Sequence, residues 1–496
     1  MSRPPYLTKS SYVRGITCQR LLWLSWHQRL PYDEPPPGSP AAVGTEIGEK
    51  AMALFPGGVL VDQAPWEHDA AVSRTRELMA DPAIPAIFEA AYEHAGVRIR
   101  ADIMERLPDG RWGLREVKSA SRVKARYIDD ISVQAYVLEQ SGVDLASVEL
   151  VHVNTKYVFA GGDIDWTGFF QRSDVAEQVR AAMPDIAETI DSHLATLHEP
   201  GEPSIAPSPH CPSDCDYWDH CTAAKPRDWI FKLPRLSQTK FDALNEAGIE
   251  RIIDIPADFK LTDQQDRMRD VIVAGRPYIS PRLDADLAPL TGAVAYLDFE
   301  AMNPALPIYA GTRPYQRIPF QWSLHRDDGT GTLSHDDFLA DANADPREAF
   351  AASLIDALAN DGQQPIVVYS SYEKSVLAEM AELFPAYADD IERIIARLAD
   401  LYVIVRNNVY LEGFAGSYSI KTVGRTLAPG FSYDGLDHVA DGAQAATAYE
   451  RLARNSVGDD AAAELRGALR AYCRLDTLAM VNAHHGLRDL AARVPA

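Results

Sequence analysis

Val97-Arg-Ile-Arg-Ala-Asp-Ile-Met104 and Trp112-Gly-Leu-Arg-Glu-Val-Lys118 read as two strands joined near Asp109-Gly110. An Asp-Gly pair between two such runs is a strong hairpin signal. Folding back at this turn returns Asp102 to the level of Glu116 and Lys118, to within one residue of register. Residues two apart in a strand face the same side, so Glu116 and Lys118 project together. Side-by-side carboxylates can hold Mg²⁺ or Mn²⁺, hard cations that take oxygen ligands. The Lys118 ammonium can stabilise charge developing on a phosphoryl group or orient the attacking water. Residues 124–141 follow as a helix, with Ile128, Ile131, Ala135 and Leu138 at helical spacing. Gln134 lies beside that stripe, within reach of the same acids.

Around this hairpin, residues 1–30 read as helical about Cys18 and 31–40 as a proline-rich loop. Residues 44–55 and 68–95 read as amphipathic helices, 148–159 as a strand and 173–197 as a long helix. Cys18 stands alone, whereas Cys211, Cys215 and Cys221 crowd into His210-Cys-Pro-Ser-Asp-Cys-Asp-Tyr-Trp-Asp-His-Cys221. Four thiolates suit a tetrahedral zinc or an iron–sulfur cluster, and in the zinc case His210 or His220 can assist. If the four converge, residues 18 to 221 are one unit closed by metal. The fifth, Cys473, reads as a small buried hydrophobe on a helix.

A chain of 496 residues implies two to four domains. With 46% hydrophobic and 24% charged residues, no run of eighteen apolar residues and no signal peptide, it is expected to be cytoplasmic and away from membranes. In that compartment clustered cysteines more often hold metal than form disulfides. The net charge of −23 argues against a broad electrostatic grip on nucleic acid. A narrow grip survives, because bound cations neutralise clustered carboxylates locally. Lys118, Arg122, Lys124 and Arg126 form one basic patch; Arg227, Lys232, Arg235 and Lys240, diluted by Asp228, form another. A solvated face explains either patch equally well.

A small helical section spans 236–275, where Phe241-Asp-Ala-Leu-Asn-Glu-Ala-Gly-Ile-Glu-Arg-Ile-Ile-Asp-Ile-Pro256 reads as helix, glycine turn and second helix. From about 290 the order is three strands (293–299, 320–325, 332–339), a helix at 346–359, a buried strand at 365–369, then mostly helices. Tyr296-Leu-Asp-Phe-Glu300 ends the first strand with Asp298 and Glu300 on one face. Val367-Val-Tyr-Ser-Ser-Tyr-Glu373 puts Glu373 at a helix start, and Tyr472-Cys-Arg-Leu-Asp476 puts Tyr472 and Asp476 one helical turn apart. Two divalent ions clamping the attacking and leaving oxygens of a phosphodiester need several carboxylates at one point. Asp400 and Gly416-Ser-Tyr-Ser-Ile-Lys421 also look functional; Lys421 suits a backbone phosphate, although a helix cap with an exposed lysine is the ordinary explanation.

These motifs carry resemblances. An acid followed by Glu-x-Lys, on a hairpin that leads into a helix, resembles the PD-(D/E)xK nucleases. One cysteine before that core and three after it resembles RecB-like nucleases with an iron–sulfur cluster, over about residues 5–225. The resemblance implies that Cys18, Cys211, Cys215 and Cys221 bind a 4Fe–4S cluster, and that Asp102, Glu116, Lys118 and Gln134 are catalytic. The C-x3-C-x5-C spacing and the absence of a histidine from Gly44-Thr-Glu-Ile-Gly-Glu-Lys50 depart from that pattern; Glu46 or Glu49 is the available substitute.

Asp298, Glu300, Glu373 and Asp476 with Tyr472 resemble DnaQ-like DEDD exonucleases on an RNase H-like fold, with Glu373 where that family has aspartate. The segment 236–275 resembles a helix–hairpin–helix module. The opening Leu7-Thr-Lys-Ser-Ser-Tyr-Val-Arg-Gly-Ile-Thr-Cys18-Gln-Arg-Leu-Leu-Trp-Leu24 and the whole arrangement are similar to an uncharacterised bacterial family that fuses these two nuclease types. The expected class is therefore α/β. It comprises a restriction-endonuclease-like domain at 1–225, a small helical linker domain at 226–288 and an RNase H-like domain at 289–496. The expected activity is metal-dependent hydrolysis of nucleic acid, DNA favoured, single-stranded or with free ends. Mg²⁺ or Mn²⁺ would sit on Asp102, Glu116, Asp298, Glu300, Glu373 and Asp476, and a helicase or other repair or defence protein is a possible partner. The alternatives are a non-catalytic binding scaffold of degenerate nuclease folds and an RNA-directed enzyme with only the C-terminal site active.

Overall fold

The computed structural model describes residues 4–31, 34–436 and 438–493. The chain is mixed α/β and divides into two compact units, 1–223 with 305–315, and 224–304 with 316–496. The helical section at 226–288, expected as a domain of its own, thus belongs to the second unit. The stretch 305–315, expected in the last domain, belongs to the first, where Ala305 and Leu306 join its core.

The first unit is built on a sheet of β1 (Leu7–Thr8), β2 (Val59–Leu60), β3 (Ala86–His94), β4 (Val97–Arg106), β5 (Trp112–Lys118), β6 (Leu145–Val153) and β7 (Phe170–Asp174). The order is β2-β3-β4-β5-β6-β7, and β1 pairs in parallel with the start of β4. Antiparallel pairing of β4 with β5 matches Ile103 to Arg115 and Arg106 to Trp112, with Gly110 at φ 88° in the turn. Helix Ala125–Gln140 and helix Ala176–His198 cover one face with Ile131, Val133, Ile186 and Ile190. Helix Pro40–Ala51 joins the other core cluster through Ile47 and Ala51.

The helix expected over 68–95 stops at Ala80 and the rest is β3. Pro82 and Pro85 break the helical run, and β3 is buried on both faces, so it lacks the alternation that would have marked a strand. Strand β6 lies three to six residues earlier than expected, and β7 was not anticipated. In the second unit, helix Gln238–Glu246 and the turn at Gly248 (φ 71°) follow expectation. The next element is only a 3₁₀ turn, Ile252–Asp254, held by a bridge between Arg251 and Trp229. The true second helix, Asp263–Ala274, comes later.

Beyond β8 (Tyr278–Ile279) the five-stranded sheet contains β9 (Val294–Met302), β10 (Ile318–Asp327), β11 (Leu333–Leu339), β12 (Ile366–Val368) and β13 (Leu398–Asp400); β14 (Val409–Tyr410) pairs back on β8. Its order is β11-β10-β9-β12-β13, antiparallel from β11 to β9 and parallel from β9 through β13. Helices Arg347–Leu358 and Tyr372–Leu383 bury Phe350, Leu354 and Val376 against Leu297, Phe299 and Val368. The long helix Asp459–Ala491 packs on β9 and β10. Among the described residues no helix is long and apolar enough to cross a membrane.

Candidate active sites

Continuing the β4–β5 register puts Asp102 opposite Glu116, and the backbone N–H of Val117 donates to Asp102 Oδ2 at 2.8 Å. Glu116 is 1% exposed. It accepts from Lys118 Nζ at 2.7 Å and from Gln134 Nε2 at 2.8 Å, so the four anticipated residues do meet. Gln134 is fully buried and its Oε1 has no partner, an acceptor left open beside the acids.

Three further groups complete this site. Asp130, one turn before Gln134 on the same helix, pairs with Lys118. Glu89 stands where the β3–β4 ladder skips a pair, between Phe88↔Ile103 and Ala90↔Ala101, with a left-handed backbone at φ 55°. Strain of that kind in a strand is kept where the surroundings demand it. The extra carboxylate beside Asp102 is therefore Glu89, whereas Glu49, one of the two substitutes suggested by the sequence, is exposed. Most consequential is Lys9, delivered by β1 and a helix start capped by Thr8: its Nζ lies 2.8 Å from Asp102 Oδ1 and 3.0 and 3.2 Å from the two Glu116 oxygens.

These contacts set the charges. Burial works against ionised Glu116, but Lys9 and Lys118 outweigh it and hold the carboxyl at about 2. Burial and the charge of Glu116 raise Asp102, which shares Lys9 with it. Lys9 and Lys118 favour the ionised form of both acids, whereas burial and the repulsion between them oppose ionising Asp102 beside Glu116. Burial with Glu116 lifts Asp130 to about 6, and burial with Asp102 lifts Glu89 to about 7. No signal in sequence spacing links Lys9 to this site, since 93 residues separate it from Asp102. The basic patch after β5 gathers round one ring: Lys118, Lys124 and Arg126 lie 5.6, 5.9 and 5.3 Å from the Tyr127 centroid.

Cys18, between helices Lys9–Thr17 and Gln19–His27, lines one small cavity with Cys211, Cys215 and Cys221. Leu21, Leu24, Tyr217 and Trp218 form part of its wall. His220 is turned to Glu202 at 3.0 Å, and neither it nor His210 lines the cavity. Thiolates on one zinc, about 2.3 Å from the ion, stand roughly 4 Å apart. Among the described residues, only Asp298, Glu300 and Cys473 bring three such ligand atoms within 4.8 Å of one another. No three of the four thiols meet that spacing among the described residues.

In the second unit, Asp298 and Glu300 project from β9, Glu373 from the first turn of helix Tyr372–Leu383, and Asp476 with Tyr472 from the long C-terminal helix. Glu300, Glu373 and Asp476 are buried, and none of the four acids forms an ion pair among the described residues. Burial, with Asp476 and Glu300 next to it, lifts Asp298 well above the usual carboxylate range. Burial and Asp476 raise Glu300 to about 8, and burial raises Glu373 to about 7.

Asp476 is also raised by burial, against hydrogen bonds from Tyr433 and Tyr472. Tyr433, from a loop that offered no sequence signal, donates to Asp476 Oδ1 at 2.6 Å. Cys473 is fully buried as expected, but its Sγ lies 3.7 Å from Asp298 Oδ2, inside the acidic cluster. Lys421 reaches over the rings of Tyr472 and Tyr433, at 4.9 and 5.3 Å, and donates to the Ala440 carbonyl. Four mutually repelling, unpaired acids are a donor set that fits hard divalent cations.

Residues 295–419 match the model of a domain of unknown function, DUF2779, which spans Asp298, Glu300 and Glu373 and stops short of Asp476. No curated protein matches the chain. A solved structure titled "Crystal structure of SSO0001" is 12% identical, covering 41% of this chain and 90% of that one, with a TM-score of 0.17.

Proposed function

We propose that the chain is a metal-dependent nuclease that hydrolyses phosphodiester bonds, of DNA in single strands or at free ends. A single observation carries this reading: four acids from three separate segments, three of them buried, meet without an ion pair to any of them among the described residues, and Lys421 acts on Glu300 and Asp476 only from a distance. Mg²⁺ or Mn²⁺ held by Asp298, Glu300, Glu373 and Asp476 would activate water and neutralise charge on the phosphate. Tyr472 and Tyr433 hold Asp476 in place and, their hydroxyls pushed upward by burial and by that carboxylate, stay protonated donors at neutral pH. Lys421 brings positive charge to the same wall. The strand order of the second unit agrees with an RNase H-like, DnaQ-type reading, and the hairpin acids of the first with a PD-(D/E)xK reading.

The cysteine cavity is read as a 4Fe–4S site that ties the segment near residue 18 to that near 221. Brown protein from oxygen-free purification supports this, and colourless protein with bound zinc overturns it. The central experiment is cleavage of labelled single- and double-stranded DNA and RNA with Mg²⁺ or Mn²⁺. Asp298→Ala and Lys118→Ala are each expected to remove a separable activity; if neither alters cleavage, the catalytic reading fails at both sites.

A second reading, with only the C-terminal site active, is favoured by Lys9, whose ammonium spans the two carboxylates of the first site. Full retention of cleavage in Lys118→Ala, with preference for RNA, selects it.

A further inference from the structure

A cavity of 440 Å³ in the second unit, distinct from the acidic cluster, is lined by Tyr369, Tyr402 and Tyr418 with Arg235, Ser370 and Ser419 at its edges. Its volume falls in the range of small-molecule sites, about 300–1,000 Å³. The tyrosines come from separate places: Tyr369 follows β12, Tyr402 is on helix Leu401–Asn408, and Tyr418 precedes helix Ile420–Leu427. Their rings stand edge to face, Tyr369 to Tyr402 at 5.9 Å and 77°, Tyr402 to Tyr418 at 6.5 Å and 80°. The rings pack on one another edge to face, and where a ring face meets its neighbour at right angles the cavity has an open-sided slot, a corner against which a flat group can stack. The Tyr369 hydroxyl is committed to the Tyr418 carbonyl at 2.9 Å, which fixes one corner, and Arg406 backs Tyr402 at 5.5 Å.

The lip is made by the helical section. Arg235 is exposed there with a left-handed backbone at φ 51°. Gly416, at φ 86°, lets the chain approach the Lys232 carbonyl so closely that a Cβ would lie 2.3 Å from that oxygen. That contact docks the Gly416–Lys421 stretch against the helical section.

Two walls lead to the acids. Ser370 donates to Glu373 Oε2 at 3.4 Å. Ser419 caps the helix whose Lys421 lies over Tyr472.

We propose that this cavity binds an unpaired nucleobase of the strand whose backbone reaches the acidic cluster, with Arg235 on an adjoining phosphate. The proposal rests on the nuclease reading for its strand and on the tyrosine slot for its ligand. Aromatic walls accept any base by stacking, so weak base preference follows. A duplex does not offer a splayed base, so the occupant is single-stranded or a frayed end.

The test uses the full chain without added divalent cation, titrated with adenosine 5′-monophosphate and with deoxyribose 5-phosphate, followed by saturation-transfer NMR. The nucleotide is expected to bind and the base-free phosphate not. Tyr402→Ala should weaken nucleotide binding about 5- to 100-fold, the equivalent of one lost stacking contact. Tyr402→Phe, which keeps the ring, should hold within about twofold, and Arg235→Gln should weaken binding of the nucleotide by a smaller factor.

Equal binding of base-free phosphate, or unchanged affinity in Tyr402→Ala, overturns the slot. Should Tyr402→Ala fail to fold, loss of affinity in Arg235→Gln with full affinity in Tyr402→Phe sustains it, and no change in Arg235→Gln overturns it. Nucleotide binding without metal-dependent cleavage leaves the slot standing and removes the nuclease reading. Cleavage without nucleotide binding does the reverse.

Discussion

At Asp102 and Glu116 two ammonium groups, from Lys9 and Lys118, lie within 3.2 Å of the carboxylates, whereas Asp298, Glu300, Glu373 and Asp476 have none so close. Both sites gather several buried or half-buried acids and both draw them from distant segments. The first neutralises itself and holds Glu116 at about 2; the second leaves its acids to repel one another, with Glu300 at about 8. A buried carboxylate cluster needs positive charge, and the two sites differ in whether the chain provides it at contact distance: Lys9 and Lys118 do at the first, while Lys421 acts on the second only from beyond ion-pair range. The second is the one poised for external cations. In the first, a divalent ion competes with Lys9.

The comparison breaks most visibly at Asp298. Asp298→Asn should lower metal-dependent cleavage roughly 100-fold or more, since it removes a charge at the reacting centre. Wild-type rates in a gel assay would move the chemistry to the first site.

Lys9→Met sharpens the contrast. Without metal it should destabilise the first unit by about 2–3 kcal/mol, at the low end for a broken buried pair because the ammonium is partly exposed. It should also tighten Mn²⁺ binding roughly tenfold by calorimetry, from removal of one competing charge. Unchanged Mn²⁺ affinity would show that Lys9 does not compete with a cation.

The pH dependences run in opposite senses. A carboxyl raised in the fold keeps a proton that the unfolded chain releases above about pH 4.5, so Glu300 weakens the metal-free fold as pH rises toward 8. Glu300→Gln should raise the metal-free Tm by about 2–4 °C at pH 8.5 and leave it unchanged at pH 5. Glu116 lies below its ordinary value, so its contribution is full at neutral pH and fades as pH falls toward 2. Glu116→Gln should lower Tm at pH 7 and do so less at pH 3, both by scanning fluorimetry. The smallest effect on the comparison is that of Cys18→Ser. Visible colour should disappear and residues 1–223 become protease-sensitive, while cleavage assigned to Asp298 holds within about twofold.

Much of this was legible from spacing. Alternation along strands put Glu116 beside Lys118 and Asp298 beside Glu300, because side chains two apart share a face. Helical period put Tyr472 with Asp476 and placed Gln134 toward the hairpin. Other features had no local mark. Glu89 takes its place through a left-handed residue in a strand, Tyr433 through a loop, and Cys473 looked like packing alone. The proline-broken run before β3 imitated a helix because a strand buried on both faces shows no two-residue period.

By itself the sequence determined which acids, lysines and thiols share an element, since strand and helix periods follow from backbone geometry. Only the tertiary structure decided which distant charges meet. Lys9 reaches Asp102 because β1 adds to β4, and Asp476 reaches Asp298 because a long helix packs across the second sheet. Charge balance in a buried site is a property of that convergence: each group's ionisation depends on neighbours close in space and remote in the chain.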